Sequence, residues 1–361
     1  MTFTEKDLII PQDKLKAGTT HWQSPSNIAI IKYWGKHGVQ LPRNPSMSFT
    51  LQNALTETKL SYKPKEEPTA GIELDFLFED APNEAFRSKV VTYLDSLLPF
   101  YPFLEQLSLK IQTVNSFPHS AGIASSASSM SALALCLCSI EDDFFGTLGD
   151  DTMFDRKASF LARLGSGSAA RSIFGGAAVW GQTGLVAGSS DEYAVSIEDQ
   201  LHPIFKSLHD DILIVSSEEK AVSSRAGHSL MDKNPYAPTR YAQAHERLSA
   251  LLPALKNGDI EKFGEIAENE ALTLHGLMMT SNPSYLLMEP KTIAMIQAIR
   301  IYRKEQNVPV YFTLDAGPNV HLLYPEEYIS DVRGFVHSEL ANLLDEGTYI
   351  PDFVGEGPEE V

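Results

Sequence analysis

The chain has only two cysteines in 361 residues, Cys136 and Cys138. At that spacing they cannot bridge each other, and in a helix they point in different directions. A disulfide framework is therefore excluded, and the pair reads as small core residues kept in a reducing compartment. Positive charge is also scarce: 29 Lys and Arg against 47 Asp and Glu leave a net charge of −18. Nucleic acid and anionic membrane both need a basic face, so neither is expected as the main partner. Long apolar runs are missing as well. The candidate with most apolar residues, Ala132 to Cys138, falls far short of the roughly 20 residues that cross a bilayer. The amino terminus, MTFTEKDLIIPQDKLKAG, mixes charge and Pro too early for a secretory signal. The expectation is a soluble, cytoplasmic protein without a targeting signal. The ten histidines show neither H-x-x-x-H spacing nor a Cys/His cluster, so no structural zinc is expected.

What is present is the composition of a folded protein, 43% hydrophobic and 21% charged, long enough for two domains. Apolar residues recur at spacings of three and four in 83–98, 126–140, 155–164, 240–255, 260–278 and 290–304, which predicts helices. "NIAIIKYW", "SMSFTLQN" and "LSLKIQTV" read as strands, as do 211–217, 308–314 and 319–325. This is an α+β pattern without strict βαβ alternation. The polar, irregular stretch "AGSSDEYAVSIEDQLHP" suggests a boundary, giving domains 1–205 and 206–361. With so acidic a chain, any site for an anionic small molecule must be made locally from backbone N–H groups, hydroxyls and a few placed cations.

The segment "FPHSAGIASSASSMSALALCLCSI" (117–140) offers such a place. It lies between a predicted strand and a predicted helix; Gly122 gives the loop freedom and Ser125 or Ser126 is a natural N-cap. Small side chains after them keep the first turn low and leave N–H and hydroxyl groups open to a phosphate. Neither G-x-x-x-x-G-K-[ST] nor G-x-G-x-x-G occurs. Read alone, the segment also fits a well-capped core helix. A linker fits worst, because linkers do not run into "ALALCLC".

Four stretches carry a resemblance. "PHSAGIASSASS" resembles the phosphate loop of the GHMP kinase superfamily. "SPSNIAIIKYWGKHG", "ARLGSGSAARSIFGG" and "YFTLDAGPNVHLL" are similar, in order, to segments of diphosphomevalonate decarboxylases, and together the four span residues 24 to 323. The resemblance implies a two-domain GHMP kinase fold, with an amino-terminal half like ribosomal protein S5 domain 2 and a ferredoxin-like carboxyl half. It implies ATP as co-substrate with Mg2+, a homodimer, and ATP-dependent decarboxylation of (R)-5-diphosphomevalonate to isopentenyl diphosphate, ADP, phosphate and CO2. A relative acting on the monophosphate, one that only phosphorylates the 3-hydroxyl, and a non-catalytic ligand sensor on the same fold are the alternatives.

The residue roles are carried over on the matching positions. In "IKYWGK", Lys32 and Lys36 are four apart; as a strand end they could face one anion together with the Tyr33 hydroxyl, or be solvated lysines. The resemblance puts Tyr33 and Lys36 on the substrate diphosphate, Trp34 and Gly35 among the substrate-binding residues, and Lys32 as a supporting charge near the reacting centre. In "GSGSAAR", Ser168 as N-cap would set Arg171 in a first helical turn, a site fit for a phosphate or carboxylate, though a glycine-terminated helix followed by a second one fits as well. The resemblance gives Ser166 and Ser168 to the diphosphate, Gly167, Ala169 and Ala170 to substrate binding, and Arg171 to the departing carboxylate. Asp315 in "TLDAGPN" reads alone as a turn-former; the resemblance makes it the catalytic aspartate that takes or orients the hydroxyl proton. Ser120, Gly122, Ala124, Ser125, Ser126 and Lys220 are assigned to ATP, with Ser126 at the transferred phosphoryl group. Ser224, Arg225 and, by a looser match, Arg87 are assigned to substrate; Arg87 otherwise reads as a surface-helix residue. Mg2+ would be held mostly by phosphate oxygens. The chain departs from the family at Asn44-Pro45-Ser46, at "PHSAG" and at Ala170; the last two are small changes that should be tolerated, the Pro45 change touches no residue given a chemical role, and "FVGEGPEEV" keeps the family's G-x-G-P ending.

Overall fold

The computed structural model describes residues 3, 8–67, 69–117, 125–218 and 222–361. The elements that position the site are β1 (Gly18–Ile31), β2 (Ser46–Pro64), β3 (Glu73–Phe78), α1 (Glu84–Leu97), β4 (Leu107–Asn115), α2 (Ser125–Phe145), α3 (Asp151–Gly165), β5 (Ala177–Trp180) and β6 (Ala194–Ser196). They are followed by β7 (His209–Leu213), α4 (Ser224–Leu230), α5 (Ala237–Asn257), α6 (Ile260–Met279), α7 (Pro290–Gln306), β8 (Tyr311–Leu314) and β9 (Val320–Tyr324). The chain is an α+β fold built on two main sheets, as the sequence pattern predicts. An eight-stranded sheet holds the first half and a four-stranded sheet the second.

In the larger sheet β1, β2 and β4 run antiparallel, and β3 adds to β4 in parallel. Residues 46–51 of β2 are buried on both faces, whereas its later half alternates buried and exposed positions. Its start also pairs with β5, from Ser46↔Trp180 to Phe49↔Ala177. Register between β1 and β2 shifts at Pro25/Asn27 and again at Ala29/Ile31. Such irregularities re-aim side chains, and here they fall where β1 delivers Asn27 and then Lys32 to the site.

The predicted helices are all present, with ends moved by up to about five residues. At α1 Asn83 caps the helix, accepting from Phe86 N–H. At α3 Asp150 accepts from Thr152 and Met153, a start four residues earlier than the apolar pattern suggested. Helix α2 is buried over much of its length, from Ala127 to Glu141, against β1 and β2. Cys136 and Cys138 are free and buried in it, as expected.

The smaller sheet has the order β8, β9, β7 and Tyr349–Ile350. Alternation sorts its residues. Leu213, Phe312, Val320 and Leu322 fill a core with α7, while Ile212, Tyr311 and Leu323 join a second core with Ile28 and Phe49 of the larger sheet. This shared apolar core presses the two sheets together. The same inward face carries Asp210, Thr313 and His321, and the chain leaves it at Asp315. The carboxyl-terminal residues cross back to the first sheet: Gly355 N–H donates to Thr50 O at 2.9 Å, and Glu360 pairs with Trp22. Among the described residues no helix is long and apolar enough to cross a membrane.

Candidate active site

The start of α2 is where the serine-rich segment enters the structure. The helix begins at Ser125, so Ser125 and Ser126 lie in its first turn instead of capping it. Ser129 Oγ donates to Ser125 O at 2.7 Å, while Ser126 is exposed and its Oγ lies 3.3 Å from Ser166 Oγ. Ser166 Oγ lies in turn 3.4 Å from Ser168 Oγ. Three hydroxyls from two distant segments thus form a line. Ser120, Gly122, Ala124 and Lys220 lie outside the described residues.

Beside this helix start is a cleft with about 730 Å³ of open space, walled by Phe76, Phe78, Phe86, Val90, Ile111 and Leu133. Its polar lining includes Ser125, Ser126, Ser129, Lys89 and Asn115. Asn115 accepts from Thr56, but its buried amide Nδ2 has no hydrogen-bond partner among the described residues. The sequence reading passed over both Lys89 and Asn115. Arg87 does not line the cleft. It donates to Leu74 O and pairs with Glu84, as a surface-helix arginine does.

From the serine line the site runs inward. Gly167–Arg171 is a single 3-10 turn whose N-cap is Ser166, without a side-chain capping bond. Ser168 is therefore not the cap, and Arg171 ends the turn instead of opening a helix. The tight turn has a packing reason: a Cβ on Gly167 would come within 2.8 Å of both the Trp180 ring and the Tyr33 hydroxyl. Ala169 and Ala170 are fully buried, so only their backbone can serve a ligand.

Arg171 is 2% exposed and donates to Ser48 Oγ at 2.9 Å, Ser46 Oγ at 2.6 Å and Asn27 Oδ1 at 3.3 Å. Every one of these acceptors is neutral. Burial pushes its guanidinium down to about 10, opposed by the charge of Asp315, so it stays protonated at neutral pH. A buried cation held by neutral oxygens, without an ion-paired carboxylate among the described residues, is suited to an incoming anion. The "NPSMSF" strand supplies two of its acceptors. Serines alternating on an otherwise apolar strand are the sequence signal for that cradle. Arg163, also buried and pushed down to about 10 by desolvation, is tied to the backbone carbonyls of Glu192 and Val39.

Lys32 follows β1 and Asp315 follows β8. Lys32 is fully buried, and its Nζ lies 3.5 Å from Asp315 Oδ1. Burial lowers the lysine from its ordinary value, with Asp315 first and Glu270 second among the charges that oppose the shift. Asp315 itself is about 30% exposed on its side chain.

Lys36 does not share these surroundings. It donates to Gln40 Oε1 at 2.8 Å and is lowered by partial burial and by Arg225. The two lysines therefore serve different places, and the single-anion arrangement is not what the structure shows. Lys36 and Arg225, the latter exposed at the start of α4 beside Ser224, form a separate cationic spot.

Tyr33 packs on Trp180 at 4.7 Å between ring centroids and on His228 at 4.4 Å; its hydroxyl is buried without a hydrogen bond among the described residues. Trp34 is 4% exposed in a small core with Met231, Leu277 and Met278, so its contribution is packing. Gly35 adopts φ +100 with the Tyr241 hydroxyl against its Cα, a position closed to other residues. His228, absent from the sequence reading, ties these pieces together. Its ring sits against Tyr33 and, at 4.6 Å, Trp34, and its Nδ1 accepts Gly35 N–H at 3.0 Å, which puts the ring proton on Nε2.

Burial, with the Lys36 charge second, pushes His228 down to about 3 from 6.5. Below pH 6.5 the unfolded chain gains a proton that the folded one refuses until about pH 3, so stability falls through this window as pH falls. The slope is about 1.4 kcal/mol per pH unit and the total a few kcal/mol. His228→Gln is expected to lose less stability than the parent between pH 7 and 5 in denaturant titrations; parallel pH curves would refute this role.

The chain matches the family model described as "Diphosphomevalonate decarboxylase-like N-terminal domain" over residues 24–194 and "Mevalonate 5-diphosphate decarboxylase C-terminal domain" over 211–352. A diphosphomevalonate decarboxylase of Ganoderma lucidum is 30% identical over 331 residues, 86% of this chain and 79% of the relative. A phosphomevalonate decarboxylase of Haloferax volcanii is 28% identical over 307 residues, 84% and 87% of the two chains. A solved structure of MDDEF in complex with MVAPP, AMPPCP and magnesium superimposes with a TM-score of 0.79 at 29% identity, covering 96% of this chain and 99% of that one. Matched across both halves in sequence and in fold, the chain belongs to the diphosphomevalonate decarboxylase family.

Proposed function

We propose that the protein carries out the ATP-dependent decarboxylation of (R)-5-diphosphomevalonate, yielding isopentenyl diphosphate, ADP, phosphate and CO2. One observation carries the reading: at the inner end of a line of serine hydroxyls, a buried arginine whose hydrogen-bond partners are neutral stands near the pair of buried Lys32 and part-exposed Asp315. A kinase needs the aspartate. A decarboxylase also needs a cation to hold the carboxylate.

The cleft suits a nucleotide base on its apolar walls, with Asn115 Nδ2 as a donor to it and the α2 first turn at the phosphates. Tyr33, Lys36, Ser224 and Arg225 suit the substrate diphosphate. Asp315 takes the proton of the tertiary hydroxyl as that oxygen bonds to the γ-phosphorus and ADP leaves. Lys32 Nζ, 3.5 Å from Asp315 Oδ1, orients the carboxylate beforehand. The C3–O bond then breaks with departure of phosphate. The electrons of the C–COO⁻ bond become the new double bond as CO2 leaves, and Arg171 holds that carboxylate in line. Among the described residues no three His, Cys, Asp or Glu side chains converge. Mg2+ would therefore take most ligands from the nucleotide phosphates, with the exposed Ser126 hydroxyl as a hard-oxygen donor, and would supply charge neutralisation on the phosphoryl oxygens.

We divide the chain near residue 205, with the last residues returning to the first sheet as a strap. A cytoplasmic homodimer fits the free buried cysteines and the family resemblance; sedimentation of the purified chain tests the dimer.

The function is tested by measuring ADP and CO2 release with ATP and a panel of mevalonate phosphates. The diphosphate is expected to be preferred over the monophosphate by about 100-fold in kcat/KM, as loss of a charged anchor predicts. The Haloferax volcanii relative motivates the other outcome. A preference for the monophosphate would replace the substrate assignment, and ADP release without CO2 would replace the reaction.

A further inference from the structure

Lys32 and Asp315 come from different sheets and are 283 positions apart in the chain, yet their charged atoms stand 3.5 Å from one another. One helix touches both. Glu270 and His275 lie on α6, five residues apart and so about 7.5 Å along its axis. Glu270 Oε2 accepts Lys32 N–H at 2.8 Å, and His275 Nε2 donates to Asp315 C=O at 3.0 Å. The carbonyl can only accept, which fixes the proton on Nε2. Its other lone pair takes Gly317 N–H at 2.8 Å, so the turn holding Asp315 is pinned from two sides.

The grip on Lys32 is equally two-sided. Arg240 of α5 bonds Glu270 with both terminal nitrogens, each at 2.6 Å, and also donates to Lys32 C=O at 3.1 Å. Arg247 adds a bond to Glu270 at 2.7 Å, and Asn44 donates to Lys32 C=O at 3.0 Å. Glu270 is fully buried and His275 is 1% exposed. Neither faces the cleft. Besides the two arginines, they bond the backbone on either side of the reacting pair, and a buried network of several charge-assisted bonds resists displacement.

We propose that Glu270 and His275 are positioning residues for catalysis, and that α6 acts as a gauge that sets the separation of Lys32 and Asp315 across the two sheets. The proposal rests on the reading of that pair as the reacting centre. A displacement of about 1 Å at a reacting group costs on the order of 100-fold in rate without weakening substrate binding.

The test compares His275→Met, which keeps length and removes the donor, with His275→Gln, whose amide restores one. With ATP and (R)-5-diphosphomevalonate, His275→Met is expected to lose about 30-fold in kcat, with both KM values within about threefold of the parent. His275→Gln is expected to recover to within about fivefold. Crystal structures should show the Lys32–Asp315 separation lengthened in His275→Met and restored in His275→Gln. Should His275→Met lack a cooperative melt, His275→Asn, an amide too short to reach the carbonyl, takes its place under the same criteria. Equal kcat in the parent and both variants, or equal losses in both that follow only their melting temperatures, would overturn the proposal. An inactive parent would instead refute the functional reading, and the crystallographic separation would still decide whether α6 sets the pair's geometry.

Discussion

Asp315→Ala is expected to lower turnover by about 1,000-fold, the range that general-base assistance supplies, while leaving the dissociation constants for ATP and substrate within about threefold. The reasoning starts from its neighbour. Burial lowers the Lys32 pKa, and Asp315 is the first of the charges that oppose the shift. Removing Asp315 therefore deletes the proton acceptor and also pushes Lys32 further towards its neutral form. Two functions lost through one substitution imply non-additivity: Lys32→Met added to Asp315→Ala should cost little more, because the pair acts as a unit. Binding should survive, since the groups proposed to hold the phosphates, Lys36 beside Arg225 and the Ser126–Ser166–Ser168 line, are held by partners other than Asp315. Rapid-quench kinetics with calorimetric binding separate the two quantities. Turnover within tenfold of the parent would sink the assignment of Asp315 as base.

The candidate site residues were named through the family resemblance, since the short motifs that hold them read alone as solvated lysines, a glycine-terminated helix and a turn. "IKYWGK", "GSGSAAR" and "TLDAGPN" each put small, flexible or charged residues where chain geometry confines them, and the structure brings Tyr33, Gly167 and Arg171 into one neighbourhood. The α+β composition was readable from the residues themselves, since buried helix faces and alternating strands write themselves as periodicity. The parts that escaped are those made by distant partners. Glu270 in "EIAENEALTLHGL" looks like one more acid on the polar face of a helix. That it is wholly buried depends on Arg240, Arg247 and the Lys32 peptide, 30, 23 and 238 positions away. His228 likewise gains its meaning only when Gly35 meets it. The mistaken local expectations have local causes. Ser168 resembles a cap, but Ser166 begins the turn because Gly167 must tuck under Tyr33 and Trp180. Lys32 and Lys36 look like neighbours on a strand, but β1 ends at Ile31 and the chain turns through Gly35 before Lys36.

Arg171→Gln separates the two halves of the reaction. The glutamine amide has two N–H donors, enough to keep bonds to two of the three oxygens that Arg171 now serves, Ser46, Ser48 and Asn27. The substitution also removes a charge that burial disfavours, lowering its pKa from 12.5 to about 10. The variant's melting temperature, measured beside the parent's, separates a loss of folding from a loss of chemistry. Asp315, Lys32 and the serine line are untouched, so phosphoryl transfer should persist. What fails is the second step: without a cation on the carboxylate, the C–C bond is no longer held in line as phosphate departs. Decarboxylation is expected to fall by about 100- to 1,000-fold, the scale set by removing a charged group that orients the reacting bond. The signature is a ratio. In a single-turnover experiment the parent should release ADP and CO2 together, whereas Arg171→Gln should release ADP first and accumulate a phosphorylated acid that later loses CO2. Equal slowing of both products, with the ratio unchanged, would move Arg171 from the carboxylate to substrate binding at large.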